Sequence, residues 1–211
     1  MQKNYLKLRF TALMLFFTLL VFSQQVDTII HKGIYTSYFS TKLKVPVYVV
    51  YRIYQAGGSC KREKLKFYND LDIPCATTAD YTHSGYDKGH LAPAADFSKN
   101  CEEEEITFRF YNALPQAPNL NRGIWKKWET KIRKESQTDS IKVICGGVFQ
   151  GNQAIGNGVA VPTMCWKVTV SLSTKHITHA LIFTNTDTAE CKAISLEDLE
   201  TLIGYKIPTT Q

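Results

Sequence analysis

The run from Val45 to Tyr54 constrains the fold of this chain most. It reads Val-Pro-Val-Tyr-Val-Val-Tyr-Arg-Ile-Tyr, β-branched and aromatic almost throughout. Such side chains pack well on a pleated surface and lose rotamer freedom in a helix, so a strand is expected, ended by Gly57-Gly58. Lys142 to Phe149, Cys165 to Leu172 and Ile177 to Thr184 read the same way. Ser173-Thr174-Lys175-His176 supplies the hairpin turn between the last two. Two segments are helical in pattern. From Asn121 to about Lys134, the residues Ile124, Trp125, Trp128 and Ile132 fall on one face. Ser195-Leu196-Glu197-Asp198 resembles a capping box, followed by Leu199, Leu202 and Ile203, with Gly204 as the stop. The acidic run Glu102 to Glu105 reads as the solvated face of a short helix. The expectation is an α+β domain, a central antiparallel β-sheet with flanking helices.

Residues 1–23 stand apart. Lys3, Lys7 and Arg9 precede an apolar run from Phe10 to Phe22, and Ser23 offers a cleavage point. That is the build of a signal peptide, too short to span a bilayer comfortably. Residues 24–211 are then one domain, secreted or periplasmic, with no stable membrane insertion after cleavage. A composition of 44% hydrophobic and 21% charged residues excludes a disordered or membrane-embedded chain. The formal net charge of +6 includes the three basic residues before position 24 and no acidic one there, so the mature chain is nearer +3. A mildly basic surface allows a nucleic-acid partner without demanding one. Six cysteines remain, at 60, 75, 101, 145, 165 and 191. In an exported chain they read as three disulfides; Cys60–Cys75 and Cys165–Cys191 are the expected pairs.

The chemistry concentrates in Gly85-Tyr86-Asp87-Lys88-Gly89-His90 and in the segments downstream as far as Glu129. Lys88 is a cation and His90 a base with a pKa near neutrality, separated by a glycine that would let a substrate approach the backbone. A positive charge near a phosphate and a base near the attacking water are what phosphate-ester hydrolysis needs. Further along, Asn112 precedes Ala113-Leu114-Pro115-Gln116 after the strand-like Thr107 to Tyr111. Asn121 opens the predicted helix as an N-cap, and its carboxamide oxygen is a hard ligand of the kind Mg²⁺ accepts. Glu129 lies eight residues on, roughly 12 Å along an ideal helix, close enough to orient water rather than to touch a metal. Arg62, in a basic loop, could hold a phosphate through two hydrogen bonds. His31, His83, His176 and His179 lack such company and read as surface or core residues.

Taken together, Asp87-Lys88-Gly89-His90, Tyr111 to Gln116, Leu120-Asn121-Arg122-Gly123-Ile124-Trp125 and Glu129 resemble the DNA/RNA non-specific endonuclease family, the ββα-metal (His-Me finger) nucleases. The resemblance covers about residues 30–208. It implies hydrolysis of DNA and RNA, recognised through the phosphate backbone, to 5′-phosphate products. It implies His90 as general base, Asn121 as the direct ligand of Mg²⁺ (or Mn²⁺ or another divalent cation) and Glu129 as holder of the ion's water shell. Asn112 would support the surrounding hydrogen bonds and Arg62 would bind phosphate. The family's signature has arginine where this chain has Lys88, which keeps the charge but not the planar fork. Two alternatives stay open. One is a catalytically weak or silent secreted module that only binds nucleic acid, and the other is a phosphoesterase for small substrates.

Overall fold

The structure, a computed structural model, describes residues 26–210. The expected signal segment, residues 1–23, lies outside the described residues. In chain order the strands are β1 (Thr28–His31), β2 (Tyr35–Ser40), β3 (Val45–Ile53), β4 (Asp87–His90), β5 (Ala113–Gln116) and β6 (Ile141–Val148). They continue with β7 (Ala154–Ile155), β8 (Val159–Ala160), β9 (Met164–Ser171), β10 (Ile177–Thr184) and β11 (Cys191–Ala193). The α-helices are α1 (Thr78–Tyr81), α2 (Cys101–Ile106), α3 (Lys126–Glu135) and α4 (Leu196–Ile203).

Seven strands form one sheet in the order β1-β2-β3-β6-β9-β10-β11, every neighbouring pair antiparallel. The four long strands expected from the sequence are its centre. β3, β6 and β9 are near-continuous apolar runs because both their faces are covered. On one face Val49, Tyr51, Val143, Cys145 and Phe183 pack against Leu91, Phe110, Leu114, Trp125 and Ile132. On the other, Tyr48, Ile144, Trp166 and Val168 meet Leu199 and Ile203 of α4. That helix begins as expected, with Ser195 Oγ accepting the Asp198 N–H, and it ends at Gly204 with φ +79. Asp198 Oδ2 also accepts from Ser195 Oγ.

The α+β reading holds, and several local expectations change. Thr107 to Tyr111 is not a strand. It bridges only Tyr68 to Arg109 and then coils into a 3-10 turn, Phe110–Asn112. The helix expected from Asn121 starts at Leu120 as a wide turn to Trp125, kinked at Gly123, before regular α3. Within α2 the acidic run is not all solvated, since Glu104 is buried at 2% exposure.

The expected disulfides are also corrected. Cys60 pairs with Cys101, at a Cα separation of 5.4 Å, while Cys75, Cys145, Cys165 and Cys191 are free thiols. The Cys60 N–H donates to the Ser98 carbonyl, which seats it beside the start of α2 and away from Cys75. Cys165 and Cys191 both register with Phe183, one on each side of β10. They are two strand spacings apart, about 9.6 Å, beyond the reach of a disulfide.

Candidate active site

On the face opposite α4, β4 and β5 form a separate two-stranded antiparallel pair, with Lys88 opposite Pro115 and His90 opposite Ala113. The wide turn Leu120–Trp125 and α3 come next, and a cleft of about 410 Å³ lies between them and the end of β4. Arg62, His90, Asn121, Arg122, Lys126 and Glu129 line it. Residues far apart in the sequence thus converge on one hollow.

His90 ends β4 with its ring between two phenylalanines, 4.6 Å from Phe67 and 4.7 Å edge-on to Phe108 between ring centres. Its Nε2 is buried without a partner. Burial, and then the nearby Arg62 guanidinium, depress the imidazole to a pKa of about 3. At neutral pH the ring is therefore uncharged and able to accept a proton.

Asn112 lies behind the cleft rather than in it. Its Oδ1 accepts from the Ala92 N–H at 2.9 Å, while its Nδ2 donates to the carbonyls of Ala92 and Thr107, both at 2.9 Å. Its own carbonyl accepts from the Leu91 N–H. Asn112 thereby staples the chain that leaves His90, each bond contributing on the order of 1 kcal/mol.

Asn121 is not an N-cap. Its Nδ2 donates to Asp87 Oδ2 at 3.0 Å, and Arg122 grips the same carboxylate from Nε at 2.7 Å and Nη2 at 2.6 Å. Burial works to raise the Asp87 carboxyl, but the bonds from Arg122 and Asn121 outweigh it and hold it below the usual range. Committing Nδ2 to Asp87 leaves the amide oxygen as an open, hard acceptor. No cluster of three or more His, Cys, Asp or Glu able to hold a metal occurs among the described residues. One amide oxygen with an acid nearby suits a cation that keeps most of its own waters, as Mg²⁺ does.

Glu129 lies on the cleft side of α3. Burial pushes its carboxyl up to about 7; Lys167 and Arg133 pull against that, while Asp96 adds to it. Beside it, Arg133 Nε donates to Asp96 Oδ1 at 2.6 Å. Burial raises Asp96 to about 6 in spite of that ion pair.

Two features of the motif stand elsewhere than expected. Lys88 is half-buried on β4, and its ammonium lies 5.6 Å from the centre of the Tyr81 ring instead of among the cleft-lining residues. Gly89 faces inward: a Cβ there would overlap the side chain of buried Gln116, so protein rather than substrate occupies the space.

Sequence reasoning missed Asp87 as a clamp, Phe67 and Phe108 as the histidine's sandwich, and Lys126 as a cleft cation. It also missed Lys167, which was visible as a lone charge inside an apolar strand.

Two strands and a helix around a histidine and an asparagine define a centre of the ββα-metal type. The chain matches the DNA/RNA non-specific endonuclease family over residues 18–210 and belongs to that family. It is 29% identical over 167 residues to a nuclease of Nostoc sp., which covers 70% of this chain and 61% of that protein. With mitochondrial endonuclease G of Bos taurus it shares 33% identity over 129 residues, 54% of this chain and 43% of the relative. The chain therefore spans less than two thirds of either relative. A solved structure of the EndoG/EndoGI complex has the same fold, with a TM-score of 0.74 at 23% identity over 85% of each chain.

Proposed function

We propose that this chain is an exported, Mg²⁺-dependent nuclease that hydrolyses phosphodiester bonds of DNA and RNA to 5′-phosphate products. The observation that carries the reading is the convergence of neutral His90 with Asn121, Glu129 and Arg62 in one cleft. His90 takes a proton from the attacking water. Arg62 and Lys126 engage the phosphate, and an arriving anion offsets the repulsion that Arg62 exerts on the imidazole, so the ring becomes a stronger base when substrate is bound. The Asn121 amide oxygen would hold Mg²⁺, which when bound would supply positive charge to offset the negative charge developing on the phosphate. Glu129 accepts hydrogen bonds from the water around that position. Asp87 fixes the Asn121 amide so that its oxygen faces the cleft, and Asn112 fixes the backbone behind His90. Contacts of this kind address the backbone and not the bases, so binding is sequence-independent and weakens with salt.

The test is cleavage of supercoiled plasmid and of RNA. His90→Ala should cut about 10²–10⁴-fold more slowly with an unchanged circular dichroism spectrum. Asn121→Ala and EDTA should each suppress turnover. Undiminished cutting by folded His90→Ala, or full activity in EDTA, defeats the reading; DNA retarded on a gel but never cut means a silent binding module.

A further inference from the structure

Lys167 is completely buried in the middle of β9, and its Nζ has no hydrogen-bond partner. Burying an ammonium is costly, and replacing a buried charge by a similarly sized apolar side chain is commonly neutral or stabilising. Stability therefore does not account for it; its neighbours do. The ammonium sits 4.1 Å from the centre of the Trp125 ring, a close cation–π contact. The Trp125 Nε1 donates to the His90 carbonyl at 3.3 Å. Of the charges that act on Glu129, Lys167 is the strongest, and it also acts on Asp96. Further ionisable groups packed there are Arg133 from α3, Asp96 from the turn after β4, Cys145 from β6 and Tyr51 from β3.

We propose that Lys167 is a positioning residue of the cleft: packed against Trp125, its buried ammonium is the countercharge that orients Glu129 at the cleft floor. This rests on the role given above to Glu129. Its acid neighbour Asp96 already has the Arg133 ion pair, while Lys167 is the largest of the charges acting on Glu129. Loss of the cation leaves Asp96 and Arg133 as the charges acting on the carboxyl, and the protonated form of Glu129 is then favoured.

The experiment compares wild type with Lys167→Met, Lys167→Gln, Glu129→Gln and the Lys167→Met/Glu129→Gln double variant. Lys167→Met should melt at or above the wild-type temperature, lose at least tenfold in kcat with KM for DNA within twofold, and show the acid limb of kcat moved to higher pH. In the metal-free protein, the ¹³C titration midpoint of the Glu129 carboxyl should also move up. In the Glu129→Gln background the Met substitution should cost nothing further. Lys167→Gln carries the same expectations, and decides the matter should the Met variant fail to fold. Wild-type kcat and acid limb in folded Lys167→Met, or an equal loss with and without Glu129, overturns the proposal. Full activity in Glu129→Gln overturns the role of Glu129 itself, which is distinguishable from a fully active Lys167 variant beside an inactive Glu129→Gln.

Discussion

At the scale of single residues, the histidine carries the most consequence. Burial between Phe67 and Phe108 and the charge of Arg62 hold it neutral far below its ordinary pKa. The sign comes from linkage: between pH 6.5 and about 3 an unfolded chain takes up this proton and the folded one does not. Its neutral burial thus favours folding above pH 6.5, and that contribution is lost as pH falls toward 3. Glu129 and Asp96, raised to about 7 and about 6, work in the opposite direction, favouring the fold in acid and losing that contribution as pH rises through those values. We expect ¹⁵N spectra of the free protein to show His90 as a neutral imidazole from pH 8 down to pH 5. A protonation midpoint near 6.5 contradicts the buried sandwich. The identity of His90 was legible because its chemistry is local to one motif. The depressed basicity was not, since Phe67, Phe108 and Arg62 come from other parts of the chain.

At the scale of elements, the β4–β5 pair is a packing problem solved by a missing side chain. Gly89 leaves room for the side chain of Gln116, which is fully buried. Gly89→Ala should cost about 1–3 kcal/mol, as overpacking does, read from urea denaturation. Because the strain falls one residue from His90, turnover should drop more than stability alone explains. Wild-type stability and turnover in this variant would mean that Gln116 can move aside. Strands β3, β6, β9 and β10 were readable from β-branched and aromatic runs that no helix favours. The wide turn Leu120–Trp125 was not: apolar spacing reports a helical face but not the kink at Gly123 that swings Asn121 toward Asp87. The strand-like Thr107 to Tyr111 failed for a related reason. Its composition suits a sheet, but Asn112 captures the backbone of the neighbouring loop and turns the chain.

At the scale of the whole molecule, the Cys60–Cys101 bridge closes a long loop that carries Arg62 and Phe67 to the cleft. It contributes about 2–4 kcal/mol, mainly by restricting the unfolded chain, and it needs an oxidising compartment. This supports export of the mature domain. Intact mass measured on protein recovered outside the cytoplasm should lack residues 1–23 and show one disulfide with four free thiols. A full-length mass, or six free thiols, contradicts that reading. No helix among the described residues is long and apolar enough to cross a membrane. The sequence by itself determined the four central strands, where α4 starts and stops, and which of its residues belong to a metal-nuclease motif. Side-chain shape, backbone propensity and residue order are properties of the chain read locally. Only the tertiary structure decided the partner of Cys60, the turning of Lys88 toward Tyr81, the filling of the space at Gly89, and the placing of Lys167 beneath Trp125. Each of these depends on the distance between elements far apart in sequence, and that distance is set by how the sheet and the ββα unit pack together.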